Sequence, residues 1–543
     1  MKNYLASLFA SGVLAFTSGQ TFAATAETLS NEQLALRNIE RAVALVDGVI
    51  DKCFHTGTMN MGDVYNFATG KPEGTADVWP YTAAIEAVNS VLEGLETLRE
   101  SNPSLYESHH DRYVQLMSQL YDGIDYYSGS FKLTSFTRTG QQWTVYGVHR
   151  GPRPGQATVA GIENVYDDQM WIVRELIRAY RNTGQTTYLR KAEYLTQYVL
   201  DGWDCIPDAG GNEYGGISWG PGYNSKHSCS NGPIISPLVW LAEMYKGKDD
   251  AATSYYVDID GTRGSRQMKK YDYYLGFAKK VYAWQKEKLL NKTTGVYWDM
   301  LGADNTIQYE EVDGMKYRKH VDTGGPVGTA FTYNTGTMLS GAVDLYNATG
   351  DASYYADVKA LCSDSRSAFC KPKRIDLKQR WYFPYDNKTT EGFNAWFDDV
   401  LMRAYADAVP YDNAKNADFC LDVFQENLDY AYDKYLRDGF LPNNLLDGWS
   451  YKDGDSTKEN DKTKGFHQLA YASEYAVLAV TLIKNGDGAM GIVNFKKETP
   501  ADVVDVYDVD GQNVRSNVSA ESLLDDLPNG VYIVEGLKYT VRR

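Results

Sequence analysis

Several adjacent acidic pairs occur along the chain: Asp167-Asp168, Asp249-Asp250, Asp398-Asp399 and Asp525-Asp526. A carboxylate at a helix start or in a solvated turn needs no further explanation, because the helix N-terminus attracts negative charge. Asp167-Asp168 differs in its context. The pair follows a Gly/Asn loop, Gly161-Ile-Glu-Asn-Val-Tyr, and precedes an apolar helical run containing Trp171, Leu176 and Ile177. Two carboxylates therefore stand at the mouth of a buried helix, flanked by Tyr166 and Trp171. Asp398-Asp399, in Phe393-Asn-Ala-Trp-Phe-Asp-Asp-Val-Leu, is either a second acidic contributor or part of a helix face; the apolar pattern around it favours the helix face.

Paired carboxylates suit glycosidic bond cleavage. One addresses the anomeric carbon while the other protonates the leaving oxygen. Neighbouring residues in a helix diverge by about 100°, so two adjacent side chains can reach different atoms. Contiguity makes a separation of about 5–5.5 Å, the spacing of a retaining mechanism, more natural than the wider inverting one. Mutual repulsion and aromatic walls should raise one of the two pKa values and keep that acid protonated near neutrality. The spacing alone permits either order of roles.

The composition is consistent with carbohydrate chemistry. The chain carries 43 tyrosines and 11 tryptophans, many in polar company such as Trp79-Pro-Tyr, Tyr214-Gly-Gly-Ile-Ser-Trp and Trp381-Tyr-Phe-Pro-Tyr. Such side chains join a flat apolar face to a polar handle, which matches a sugar ring, although single aromatics more often fill cores. The formal charge of -17 argues against a nucleic-acid partner and makes an anionic polysaccharide a less natural substrate. The seven histidines form no HExxH or HxH cluster and the six cysteines no CxxC spacing, so neither a metal nor another cofactor is expected. Some cysteines could pair in an exported chain, Cys205 with Cys229 and Cys362 with Cys370 being nearest in sequence.

These residues need a scaffold, and from about residue 30 to 485 the apolar pattern is helical. Ala179-Tyr-Arg-Asn-Thr-Gly-Gln-Thr-Thr-Tyr188 and Leu345-Tyr-Asn-Ala-Thr-Gly-Asp-Ala-Ser-Tyr354 spell one helical hairpin twice, each first helix closing on a left-handed Gly cap. Long loops separate the copies, which points to a closed toroid of helical hairpins with a site built from loops on one face. Upstream, residues 1–26 read as a secretory signal peptide: Lys2, an apolar run from Tyr4 to about Phe16, and small residues at Ala23, Ala24 and Ala26. The apolar run is too short to span a bilayer, so an exported protein, periplasmic or at the cell surface, is expected. Residues 27–490 are expected to form the barrel and 491–543 a small all-β module, its Val-rich runs broken by Asp-Gly, Pro-Asn-Gly and Glu-Gly turns. That tail resembles the C-terminal modules of exported Bacteroidetes proteins.

Tyr166-Asp-Asp-Gln-Met-Trp171 and the following Arg178-Ala-Tyr-Arg-Asn-Thr-Gly resemble glycoside hydrolase family 76, the endo-α-1,6-mannanases. The likeness continues in order through Trp79, Gly215-Gly-Ile-Ser-Trp219, Asn231-Gly-Pro-Ile-Ile-Ser-Pro-Leu, Gly295-Val-Tyr-Trp-Asp299 and Phe331-Thr-Tyr-Asn-Thr-Gly336. It covers about residues 60–485. The resemblance implies an (α/α)6 barrel acting with retention on α-mannan or mannooligosaccharides, with Asp167 as nucleophile and Asp168 as acid/base. Tyr166, Trp171, Trp219, Tyr333 and Asn334 are the expected substrate contacts. Three departures bear on linkage and chain length: Gln169-Met170 stands where relatives often have a third acid or hydrophobic residue, Thr335 stands where Gln is usual, and Gly247 to Tyr274 has the look of an insertion. Rival readings are a barrel enzyme of the unsaturated glycuronyl hydrolase or epimerase type, which calls for separated acid–base residues and a basic pocket, and a non-catalytic surface glycan-binding protein, which usually carries a lipid-anchoring Cys near the signal.

Overall fold

The computed structural model describes residues 29–302, 306–388, 391–485, 503–508, 513–519, 527–534 and 537–541. The expected signal peptide lies outside the described residues. Backbone packing divides the chain into two units, one of them Ser30–Val493 and the other containing residues 494–543.

Among its described residues the larger unit holds twelve α-helices: α1 Asn31–Lys52, α2 Val78–Thr97, α3 Pro103–Ile124, α4 Tyr166–Thr183, α5 Thr186–Asp201, α6 Gly232–Met244, α7 Lys270–Leu289, α8 Thr332–Thr349, α9 Ala352–Phe369, α10 Asn394–Ala408, α11 Asn416–Tyr435 and α12 Gly465–Asn485. The even-numbered helices pack in a closed ring, each against the next, with α12 returning to α2. Each odd-numbered helix backs one of them from outside, α1 lying against α12. This is the (α/α)6 barrel.

Side-chain pattern explains the two rings. The outer helix α3 buries a stripe of Tyr113, Leu116, Met117, Leu120 and Ile124, at the spacing of one helical face. The inner helix α2 is buried almost all round, from Tyr81 through Leu95. Such a helix is stable only inside a second layer of structure. Polar residues on the inner ring find one another. Arg178 pairs with Glu175 at 3.0 Å and Glu93 at 2.9 Å and donates to Ser90, which meets Ser473 of α12 at 3.0 Å. Glu86 of α2 accepts from the Trp396 indole of α10 at 2.8 Å and pairs with Arg403. A buried network of this kind adds little net energy but is costly to break.

The connections differ between the two faces. Where an inner helix passes to an outer one they are mostly short: Gly184-Gln185 joins α4 to α5, and Gly350-Asp351 joins α8 to α9. Both glycines cap their helices in the left-handed region, at φ 70° and 71°, their N–H groups bonding to Tyr180 and Tyr346 carbonyls. The α6–α7 link is the exception, carrying an antiparallel hairpin, Ala251–Val257 with Arg263–Lys269, inside the expected insertion. Every long loop instead leads into the N-terminus of an inner helix, so six helix starts and their loops share one face.

In the second unit, four strands form an antiparallel sheet in the order Asn513–Ser519, Val503–Asp508, Gly530–Val534, Leu537–Val541. None of the described helices is long and apolar enough to cross a membrane.

The two left-handed caps carry a direct test. Replacing Gly184 or Gly350 by Ala should each lower unfolding free energy by about 1–2 kcal/mol, the cost of a Cβ in that region, read from urea titrations of each variant.

Candidate active site

Asp167 and Asp168 occupy the first turn of α4. No side chain caps this helix; the Tyr166 N–H donates instead to the Trp219 carbonyl at 2.7 Å. The loop before α6 thereby fixes the helix start. Gln169 locks it from the other side, exchanging bonds of 2.8 and 3.1 Å with the backbone of Tyr146. The Gly215-Gly216 pair has a visible purpose. Both residues have positive φ, 75° and 80°, and lie so close to the Trp284 ring that no Cβ could be accommodated. Asn231 then ties the loop to α6, accepting from Ile217 N–H at 2.8 Å and donating to the Ile217 and His227 carbonyls.

The two carboxylates are not equivalent. Burial raises Asp167 to about 6, while the Cys229 thiol, the backbone of the helix's own first turn and the Trp219 indole favour its ionised form. Its Oδ1 and the Trp219 Nε1 are each buried without a full hydrogen bond. Asp168 is pushed well above the carboxylate range, first by burial, then by the charges of Asp167 and Asp77. Asp77 precedes α2, pairs with His149 at 2.8 Å, and lines an open trough of about 850 Å³ with Asn60, Tyr126 and Arg150.

A third carboxylate shares the neighbours of the pair, Cys229 and Tyr333. Asp299 is raised to about 6 by burial, an effect that the nearby Asn334 amide of α8 opposes. Tyr333 lies within electrostatic reach of Cys229, Asp299 and Asp167. Both polar atoms of the Asn334 amide are buried without a full hydrogen bond. A polar centre built this way has unspent donors and acceptors aimed at whatever enters. Below it lies an aromatic floor: Trp79 packs on Phe393, Trp396, Phe397 and Phe466, and Tyr333 stacks on Phe397 at 4.3 Å.

The structure gathers Asp167, Asp168, Trp219, Tyr333 and Asn334 at one end of the ring. It turns Tyr166 away from that end and sets Trp171 against the aromatic floor. Tyr166 turns outward, its ring 5.0 Å from Tyr198 of α5 and against Gly202. Trp171 packs edge-on against Trp396 at 4.6 Å, in the barrel interior. Asp398 and Asp399 lie in the barrel wall: Asp398 accepts from Thr332 at 2.8 Å, and Asp399 faces Arg403. Sequence reasoning passed over Asp77, Cys229 and Asp299 as site residues. Asp299 ends a segment singled out for its family likeness; Asp77 and Cys229 carry no local signal. All six cysteines are buried free thiols, so none of the pairings considered from sequence occurs. Cys229 instead spends its side chain on Asp167. Among the described residues, no three His, Cys, Asp or Glu side chains converge as a metal site.

A ring of six helical hairpins with adjacent buried carboxylates at an inner-helix start defines a class of barrel glycosidases. The profile of glycosyl hydrolase family 76 matches residues 121–256 and 266–485, and the chain belongs to that family. A family 76 mannosidase from Bacteroides thetaiotaomicron superposes with a TM-score of 0.58 at 21% identity, covering 83% of this chain and 100% of that one. An α-1,6-mannanase from a Salegentibacter species superposes with a TM-score of 0.52 at 20% identity, over 82% and 99% of the two chains. An inactive variant of that mannanase, with two consecutive aspartates replaced by asparagine, is known in complex with α-1,6-mannotriose. A mannan endo-1,6-α-mannosidase of Candida glabrata is 27% identical over 180 residues; the match spans 32% of each chain, about a third of the relative's length.

Burial of Asp168 has a measurable cost. A carboxyl whose pKa rises on folding supports the fold while protonated, below its unfolded value near 3.8, and weakens it as pH climbs toward the folded value. Asp168→Asn, which stays neutral, should therefore raise the thermal midpoint by a few degrees at pH 7. The gain should vanish near pH 4, as followed by scanning calorimetry across that range.

Proposed function

We propose that this protein is an exported endo-α-1,6-mannanase that cleaves α-mannan backbones with retention of configuration. Its family membership and the pair of unequal, buried carboxylates at the start of α4 carry the reading. Asp167 is the nucleophile. It is the carboxylate of the pair with neighbours that favour the ionised form, and the N-terminus of α4 favours negative charge there. Asp168 is the acid/base, because deep burial beside a second charge keeps its proton in place until the leaving oxygen accepts it. Once the glycosyl-enzyme forms, the Asp167 charge is gone, the pressure on Asp168 relaxes, and it can take a proton from the incoming water.

The known partners of relatives agree with this assignment. The Salegentibacter variant lacking two consecutive aspartates is inactive and binds α-1,6-mannotriose, and the Candida glabrata relative is a mannan endo-1,6-α-mannosidase. Trp219, Tyr333, Asn334 and Asp299 hold the sugar at the cleavage point, and the open trough beside Asp77 receives the chain beyond it. An open trough suits attack within a polymer, whereas a closed pocket would restrict cleavage to chain ends. Residues 1–26 act as the export leader, 27–490 as the catalytic barrel and 491–543 as a separate β module.

Asp167→Asn and Asp168→Asn should each lower kcat/KM on linear α-1,6-mannan by at least about a thousandfold, the scale of acid–base and nucleophilic contributions. Wild-type rates in both variants would sink the assignment. In the wild type, kcat/KM should fall as pH drops through about 6, where Asp167 takes up its proton. Proton NMR of fresh digests should show the α-anomer released first; an initial β-anomer would exclude retention.

A further inference from the structure

The hairpin between α6 and α7 encloses a second cavity on the barrel's outer flank. Its base is held by Lys270, whose N–H donates to the Asp250 carbonyl and whose ammonium pairs with Glu193 of α5 at 2.6 Å. Near its tip, Arg263 reaches the Phe136 carbonyl and pairs with Glu310, on two loops of the active-site face. The hairpin thus runs along the wall between α5 and α7. The cavity beneath it has a volume of about 220 Å³. Residues 257–265, its tip, fall between the two family-matched segments, while the strand residues that line the cavity fall within the first of them.

Asp201, the last residue of α5, lines this cavity, and its side chain is 1% exposed. Donors crowd one of its oxygens: Ser135 at 2.9 Å, Arg138 at 2.9 Å and Thr137 at 3.4 Å all reach Oδ1. Oδ2 has no hydrogen bond, and the Trp143 indole N–H nearby does not reach bonding geometry. A buried carboxylate oxygen left in this state costs about 1–3 kcal/mol or more, unless a ligand or water donates to it. Arg138 is itself held by stacking over Tyr255 at 4.3 Å and Trp143 at 5.2 Å. Tyr255, Tyr273 and Phe277 supply aromatic walls, and Thr253 and Gln197 add polar groups at the rim.

We propose that this cavity is a second carbohydrate-binding site, taking one neutral pyranose ring with its hydroxyls against the Asp201–Arg138 pair and its apolar face on the aromatic walls. Charge selects the ligand class. An anion would meet Asp201 and a cation would meet Arg138, whereas a polyol donates to the first and accepts from the second. Size limits it to one unit, since the space is several times the roughly 30 Å³ share of a water yet below the 300–1,000 Å³ or so of pockets for larger ligands. That the ring is a mannosyl branch or chain end of the polymer being cut rests on the function proposed above.

Two variants outside the catalytic machinery test the site: Tyr255→Ala, which removes a wall, and Thr253→Trp, which fills the space. Both should hydrolyse α-1,6-mannotetraose at the wild-type rate, which also shows that they fold. Each is then placed in an Asp167→Asn/Asp168→Asn background and run by affinity electrophoresis through gels containing yeast mannan. Retardation should drop at least fivefold against that parent. Unchanged retardation in both variants overturns the proposal. Calorimetric titration with methyl α-mannopyranoside and methyl α-glucopyranoside separates this result from the activity. Binding that both variants abolish supports the pocket even if wild-type protein fails to cut mannan, and its preference names the sugar. Binding of either glycoside that neither variant alters, or no binding of either glycoside, overturns it.

Discussion

Placing two neighbouring carboxylates in the first turn of one helix, Asp168 buried and Asp167 half-buried, is the constraint that organises this molecule. Two adjacent negative charges in a dry site repel each other and lose hydration, and few folds tolerate both. Here the strain is divided unequally. Asp167 keeps a thiol, an indole and the helix start as neighbours, while Asp168 is left to hold a proton. The rest of the face serves that division. Trp219 fixes the helix start through its carbonyl, Gln169 locks the turn to a neighbouring strand, and Asn231 holds the loop that carries Trp219.

The barrel makes such a site affordable in structural terms. Six inner helices present their N-termini to one face, so the local field there favours anions and the neighbouring backbone N–H groups are available to them. The aromatic floor centred on Trp79 and Trp396 excludes water from beneath, and the charge network of Glu86, Arg178 and Arg403 holds the inner helices in register. Stability is thus concentrated in the helical wall and chemistry in the loops. The hairpin on the α6–α7 link departs from this economy, a decorated connection on the face where the others are short.

Much of this was legible in the sequence because it is written locally. The Thr-Gly hairpins appear where residues 179–188 and 345–354 place them, since a left-handed Gly cap is a property of a few consecutive residues. Asp167-Asp168 stood out because an apolar helix follows at once. What was not legible is what only tertiary packing decides. Tyr166 and Trp171 flank the acids in sequence, but the helical turn sends one outward to Tyr198 and the other into the interior. Cys229, Asp77 and Asp299 reach the site from three separate loops, and only Asp299 closes a segment that stood out in the sequence. The hairpin was expected only as an insertion; that it encloses a cavity depends on α5 and α7, which frame it from different parts of the chain.

The ring closes through α12, the last of the described helices, which packs against both α1 and α2, the first two. A chain growing from its N-terminus therefore carries eleven helices and an open seam until residue 465 and beyond have left the ribosome. Until then the inner faces of α2 and α10 lack their neighbour, and the apolar surface meant for the ring's interior stays exposed. The same geometry makes the α11–α12 loop a vulnerable point in the finished protein. A single cut there frees the keystone helix from the chain, and only packing would then keep the circle shut.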